Sequence, residues 1–179
     1  MKRMLFAVLM AAALLGSQTK RLPQTTVRLL DGRKATLREL HADGPLLIDF
    51  WALWCAPCLK AMRHLDAFQS SYGDRGLQVL TINLDTERSR SKVRSYLKSR
   101  GYGFQTALDP SNDTFRRLSG NVLPYTLLVD RSGQIIYRHT GYVPGDEQAL
   151  ERQITALLDP ARSPAVPQDL PRDNSSPSP

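Results

Sequence analysis

The chain has 179 residues, 41% of them hydrophobic and 23% charged, the proportions of an ordinary globular protein with length for one good core and too little for two comfortable domains. Its two cysteines, Cys55 and Cys58, exclude a multi-disulfide scaffold, since any internal bridge must join that local pair. The formal net charge is +7, and Arg88, Arg90, Lys92, Arg94, Lys98 and Arg100 form a basic run that reads as a solvated helix face, with steering toward an acidic protein or an anionic membrane surface as its sharper meaning.

Met1-Lys2-Arg3 followed by the apolar stretch Met4 to Leu15 has the charged start and short greasy centre of an export signal, placed here over residues 1–17. A helix of that apolar stretch reaches only about 18 Å, against roughly 30 Å of hydrocarbon, so a spanning anchor is the weaker reading. Only Gly16 and Ser17 offer small residues after it, and no cysteine follows closely enough to carry a lipid. Thr25 to Leu29, the turn Asp31-Gly32, and Arg33 to Leu40 read as a small hairpin, a strand followed by a second strand or turn.

Leu46 to Trp51 is an apolar strand that delivers the cysteines to the start of a helix, whose buried face repeats at Leu59, Met62, Leu65, Phe68 and Tyr72. Leu77 to Leu84 reads as a buried strand, Thr86 to Arg100 as a helix stopped by Gly101, Phe104 to Leu108 as a short strand and Ser111 to Leu118 as a short helix. Tyr125 to Val129 is a strongly apolar strand, Asp130-Arg131-Ser132-Gly133 turns the chain, Gln134 to His139 pairs back antiparallel, and Asp146 to Leu158 forms the last helix. Alternating strands and helices imply parallel pairing. The fold class is therefore α/β, a central mixed sheet flanked by helices over residues 23–158. From Pro160 to Pro179 half of the twelve prolines crowd among serines, and that tail is expected to be disordered.

Cysteines spaced C-x-x-C at a helix start make a reactive dithiol. Unpaired N–H groups and the helix dipole there favour a thiolate, the species that attacks disulfides. Cys55 is the expected nucleophile; Cys58, one turn deeper, is the expected resolving thiol, which attacks the mixed disulfide and expels the partner. The bridge closes so small a loop that it stabilises the fold little. Asp49 is an acid inside an apolar strand, costly unless neutral or paired, and Lys60 is one possible ion-pair partner. Trp54 beside Cys55 offers a flat apolar platform for a docking peptide. Two thiolates also suit Cu(I), with His41, His64 and His139 as possible further ligands, so a copper carrier is the alternative. His64, off the cysteine face, reads otherwise as a plain surface histidine, and no second Cys pair completes a zinc site.

Trp54-Cys55-Ala56-Pro57-Cys58 after an apolar strand, with Leu123-Pro124-Tyr125-Thr126 opening a later strand and Asp130-x-x-Gly133 closing it, resembles the thioredoxin superfamily. The export signal, the Asp31-Gly32 hairpin and the strand-helix insertion between Leu77 and Leu108 resemble its extracytoplasmic TlpA/ResA branch. The resemblance implies a protein-disulfide oxidoreductase that needs no cofactor, with Pro124 as a cis-proline facing the dithiol. The implied substrate groove is lined by Trp54, Ala56, Pro57, Leu123 and Pro124. It further implies disulfide-bearing protein substrates, a membrane thiol-disulfide electron donor, and a place outside the cytoplasm, in a bacterial periplasm. A nucleic-acid partner is not expected of an exported protein.

Two departures stand out. Asp49 takes the place of thioredoxin's buried acid, and Ala61 stands where the exported branch often carries a glutamate, so Asp49 is the expected proton carrier, reaching Cys58 through a water. Arg63 replaces the helix-kinking proline, which argues against the cytochrome c maturation subgroup. Because Ala56-Pro57 offers the Cys55 thiolate no polar side chain, the expected direction is reduction of partner disulfides.

Overall fold

The computed structural model describes residues 21–41 and 44–159; the expected export signal and the Pro/Ser-rich tail lie outside the described residues. The strands are β1 (Thr26–Leu29), β2 (Lys34–Thr36), β3 (Leu46–Trp51), β4 (Gln78–Asn83), β5 (Gln105–Leu108), β6 (Tyr125–Val129) and β7 (Ile135–Thr140). The α-helices are α1 (Leu37–His41), α2 (Ala56–Tyr72), α3 (Arg90–Arg100), α4 (Asp113–Arg117) and α5 (Asp146–Leu158). The strands form one sheet in the order β2-β1-β5-β4-β3-β6-β7. β3, β4 and β5 pair in parallel, as the strand-helix alternation predicts, while β6 and β7 close one edge antiparallel. At the other edge the hairpin β1–β2 joins antiparallel to β5, extending the sheet.

β3 is buried at every position because both sheet faces are covered. Alternation then sorts its side chains: Leu47 and Trp51 join one core cluster with Met62, Leu65 and Phe68 of α2, Val93 of α3, and Leu150 and Ile154 of α5. Leu46, Ile48 and Phe50 join the other, with Leu37 of α1, Phe115 of α4 and Leu118 at its C-terminal end. Asp49 falls on the first face, beneath α2 and α5, by the period-2 rule alone.

Two boundaries differ from the sequence reading by more than two residues. Arg33 to Leu40 is a three-residue strand that turns into a helix, because Thr36 and Glu39 form a capping box: Glu39 N–H donates to Thr36 Oγ1 at 3.1 Å, and Thr36 N–H donates to the Glu39 carboxylate at 2.6 Å. The Thr86 to Arg100 helix begins with a 3₁₀ turn, Glu87–Ser89, before α3. Its end is as expected: Gly101 adopts φ 67° and donates to the Leu97 carbonyl.

Candidate active site

The dithiol sits where β3 runs out. Trp51 pairs with Asn83, so the chain leaving β3 passes the end of β4. There the Asp85 carboxylate accepts the Leu53 N–H at 2.8 Å and the Asn83 side-chain amide at 2.8 Å, while Asp85 N–H donates to Asn83 Oδ1. This clamp holds the loop that presents Trp54 and Cys55. Cys55 is the N-cap of α2, in extended conformation, and its Sγ accepts the Cys58 N–H at 3.3 Å. Pro57 fits the first turn, where no backbone donor is needed.

Cys55 and Cys58 are joined as a disulfide with Cα atoms 5.3 Å apart. Cys58 is fully buried, whereas Cys55 keeps 5% of its surface exposed and is the outer residue of the pair. Trp54 is 72% exposed beside it, and Ala56 and Pro57 are exposed as well. On the neighbouring strand Tyr125 pairs with Phe50, which sets Pro124 level with the end of β3. The Leu123–Pro124 bond is cis, Pro124 is buried with its carbonyl accepting Gly141 N–H at 2.8 Å, and Leu123 is half-buried. Among the described residues the exposed large apolar side chains are Trp54, Val122, Ile136 and Val143, so three of the four adjoin Cys55, the cis-proline or the segment bonded to it.

A cavity of about 30 Å³ is lined by Asp49, Ala61 and Pro124 among others, large enough for a water molecule. Asp49 is completely buried. Thr126 Oγ1 donates to its Oδ1 at 2.7 Å, and among the described residues its Oδ2 has no hydrogen-bond partner. The ion pair with Lys60 that the sequence allowed does not form: no salt bridge reaches Asp49 among the described residues, and Lys60 is exposed. Burial drives the Asp49 carboxyl up from 3.8 to about 7, opposed by the Thr126 hydrogen bond, which favours the charged form. A carboxyl poised there can take or give a proton at neutral pH.

Asp49 belongs to a polar row that crosses the sheet one residue per strand. Strand register aligns Thr106, Thr81, Asp49, Thr126 and His139, with Thr81 and Thr106 hydroxyls 2.8 Å apart. A row of this kind is invisible in the sequence, where its members lie up to 90 residues apart; only pairing reveals it.

The histidines are dispersed. His41 Nε2 lies 2.6 Å from the Asp130 carbonyl oxygen, and His139 Nε2 lies 2.9 Å from Asp146 Oδ2. His64 is not the plain surface residue expected: it is half-buried, lines the cavity, and lies against Tyr142 with ring centroids 6.1 Å apart. Among the described residues no group of three or more His, Cys, Asp or Glu side chains is gathered in a way that could hold a metal. The residues the sequence reading missed are Asn83 and Asp85, which hold the loop, and Thr126 and Asp146 behind Asp49; His139 was read only as a possible copper ligand. The Asn-x-Asp spacing at a strand end is a weak turn signal that could have flagged the first two.

The Redoxin family model matches residues 17–154. The thiol-disulfide oxidoreductase ResA of Bacillus cereus is 28% identical over 122 residues, covering 68% of this chain and 69% of the relative. ResA of Halalkalibacterium halodurans is 25% identical over 131 residues, covering 73% and 71%. Among solved structures, a Chlorobium tepidum protein assigned as the thiol:disulfide interchange protein DsbE superposes with a TM-score of 0.72 at 30% identity, over 79% of this chain and 98% of that one.

Proposed function

This chain belongs to the Redoxin family and is a thioredoxin-like protein-disulfide oxidoreductase of the TlpA/ResA kind, and on that premise we propose that it acts outside the cytoplasm as a reductant of disulfides in partner proteins. The observation that carries the reading is the asymmetry of the pair, an outer Cys55 whose sulfur caps α2 and a Cys58 buried behind it. The reduced Cys55 thiolate attacks one sulfur of a substrate disulfide and expels the other as a thiolate. Cys58 gives its proton to the Asp49 carboxylate and attacks Cys55 Sγ; the second substrate thiolate leaves, and the Cys55–Cys58 bridge is formed.

The exposed ring of Trp54, with Ala56, Pro57, Leu123 and Pro124, makes the surface on which an extended substrate segment docks. The charged and apolar N-terminal stretch supports export to a periplasm, either free or tethered by that stretch. A reductant there needs a membrane thiol-disulfide protein to resupply electrons, and the basic residues of α3 suit peripheral contact with an anionic membrane.

The test is single-turnover reduction of insulin by the reduced protein lacking residues 1–17. Cys55→Ser is expected to abolish the reaction, and Cys58→Ser is expected to stop at a mixed disulfide through Cys55. Activity retained in Cys55→Ser would overturn the assignment of the nucleophile. A reduction potential at or below thioredoxin's, roughly −270 mV, supports the reductant, and one near −120 mV makes the protein a disulfide donor instead.

A further inference from the structure

Asp49 is wholly buried, its Oδ2 has no hydrogen-bond partner among the described residues, and a docked substrate covers the dithiol side. On the proposed reading of Asp49 as proton carrier, on which this inference rests, that carboxyl must still equilibrate with bulk water between the two half-reactions. The sheet supplies a second way out. His139 is the register partner of Thr126, which holds Asp49, and its ring lines the same cavity. Two strand spacings separate Asp49 from His139, roughly 10 Å between backbones, a gap their side chains and one or two waters bridge.

His139 also reaches the outside, with a third of its side chain exposed. Its Nε2 is 2.9 Å from Asp146 Oδ2, an oxygen that also accepts the Val143 N–H at 2.9 Å. The Asp146 carboxylate can only accept, so Nε2 carries hydrogen and the neutral ring offers Nδ1 as the acceptor. We propose that the His139–Asp146 pair is the port through which Asp49 exchanges its proton with solvent, at the β7 edge of the sheet. The Asp49 carboxyl proton passes through cavity water to His139 Nδ1; the imidazolium, steadied by Asp146, gives a proton to bulk water. No electrons move, and the reverse sequence reloads Asp49.

Other ionisable groups also face this cavity. From α2 comes His64, whose Nε2 accepts Arg63 Nε–H at 3.2 Å. From α5 comes Glu147, engaged with the Tyr142 hydroxyl and the Gly145 N–H, and from β7 comes Tyr137. None of these shares strand register with Thr126 and Asp49, and the one lone pair by which His64 could take a proton at Nε2 is already used by arginine.

A pH jump from 6 to 8.5 on the oxidised full-length protein tests the port, with the protonated carboxyl band of Asp49 followed by infrared absorption. The band is identified by its loss in Asp49→Asn. His139→Gln, which keeps a hydrogen bond to Asp146 and cannot carry a proton, is expected to slow the loss of the band by roughly tenfold, and added imidazole is expected to restore it. Asp146→Asn leaves the ring without its orienting carboxylate and is expected to slow the same step by about threefold, which keeps the test open if the first variant folds poorly. Exchange at the native rate in His139→Gln overturns the port, as does slowing that imidazole does not relieve. If the native protein has no band that Asp49→Asn removes, the failure lies instead with the reading of Asp49.

Discussion

Thr126 donates to one oxygen of Asp49, while the other, fully buried, has no partner among the described residues. A buried acid with one satisfied oxygen is held neutral by desolvation yet retains a site ready to receive or release a proton.

Stability should carry the signature of that acid. With the folded carboxyl raised from 3.8 to about 7, the unfolded chain ionises first, so the stability that neutral Asp49 contributes is fully present below pH 4. It declines as pH rises and is lost by pH 7, at about 1.4 kcal/mol per unit and about 4 kcal/mol in all. Urea unfolding of the oxidised protein between pH 4 and pH 8 is expected to show this decline, and Asp49→Asn to flatten it. Parallel curves for the two proteins would contradict it.

Thr126→Val keeps the shape and removes the donor. The hydrogen bond favours the carboxylate, so its loss is expected to push the Asp49 carboxyl further up. Carboxyl carbon NMR titration of the two proteins measures the difference, and a downward move would contradict the assignment of Thr126 as donor.

Asp85→Ala takes the acceptor from Leu53 N–H and from the Asn83 amide at once. Each group left without a partner costs about 1–3 kcal/mol. The expected result is a lower melting temperature together with slower insulin reduction, because the loop that sets Trp54 and Cys55 loosens. A stable variant that is slow only toward protein disulfides would separate the loop's positioning from its contribution to stability.

Ala61 lines the same cavity as Asp49. Placing a glutamate there in Asp49→Asn restores a carboxyl near Cys58 from the helix side. The double variant Asp49→Asn/Ala61→Glu is expected to recover the pH dependence of insulin reduction that Asp49→Asn alone loses. Its stability is expected to fall by about 1–3 kcal/mol from overpacking. A flat pH profile in the double variant would mean that the helix side of the cavity does not reach Cys58.

The dithiol, its strand and the helix behind it were legible in the sequence because their signals are local: an apolar run, a C-x-x-C spacing, and a repeat of buried positions from Met62 to Phe68. Asp49 was placed near Cys58 by the family resemblance, and alternation along β3 accounts for it. Its partner was not legible, since Thr126 meets Asp49 only through antiparallel pairing of β3 with β6, a long-range choice that no window of sequence contains. For the same reason His64 read as a surface residue: helical spacing placed it off the cysteine face, and only the docking of the Tyr142 loop and α5 half-buried it. The α1 boundary is a different kind of miss, because Thr36-x-x-Glu39 was a readable helix start overshadowed by the hairpin pattern before it.

The Cys55 sulfur both caps α2 and forms the bond that is made and broken. A thiolate accepts a hydrogen bond more strongly than a disulfide sulfur does, so opening the bridge strengthens the cap of α2 as it frees the nucleophile. One atom thereby ties the chemistry of the dithiol to the stability of the helix behind it.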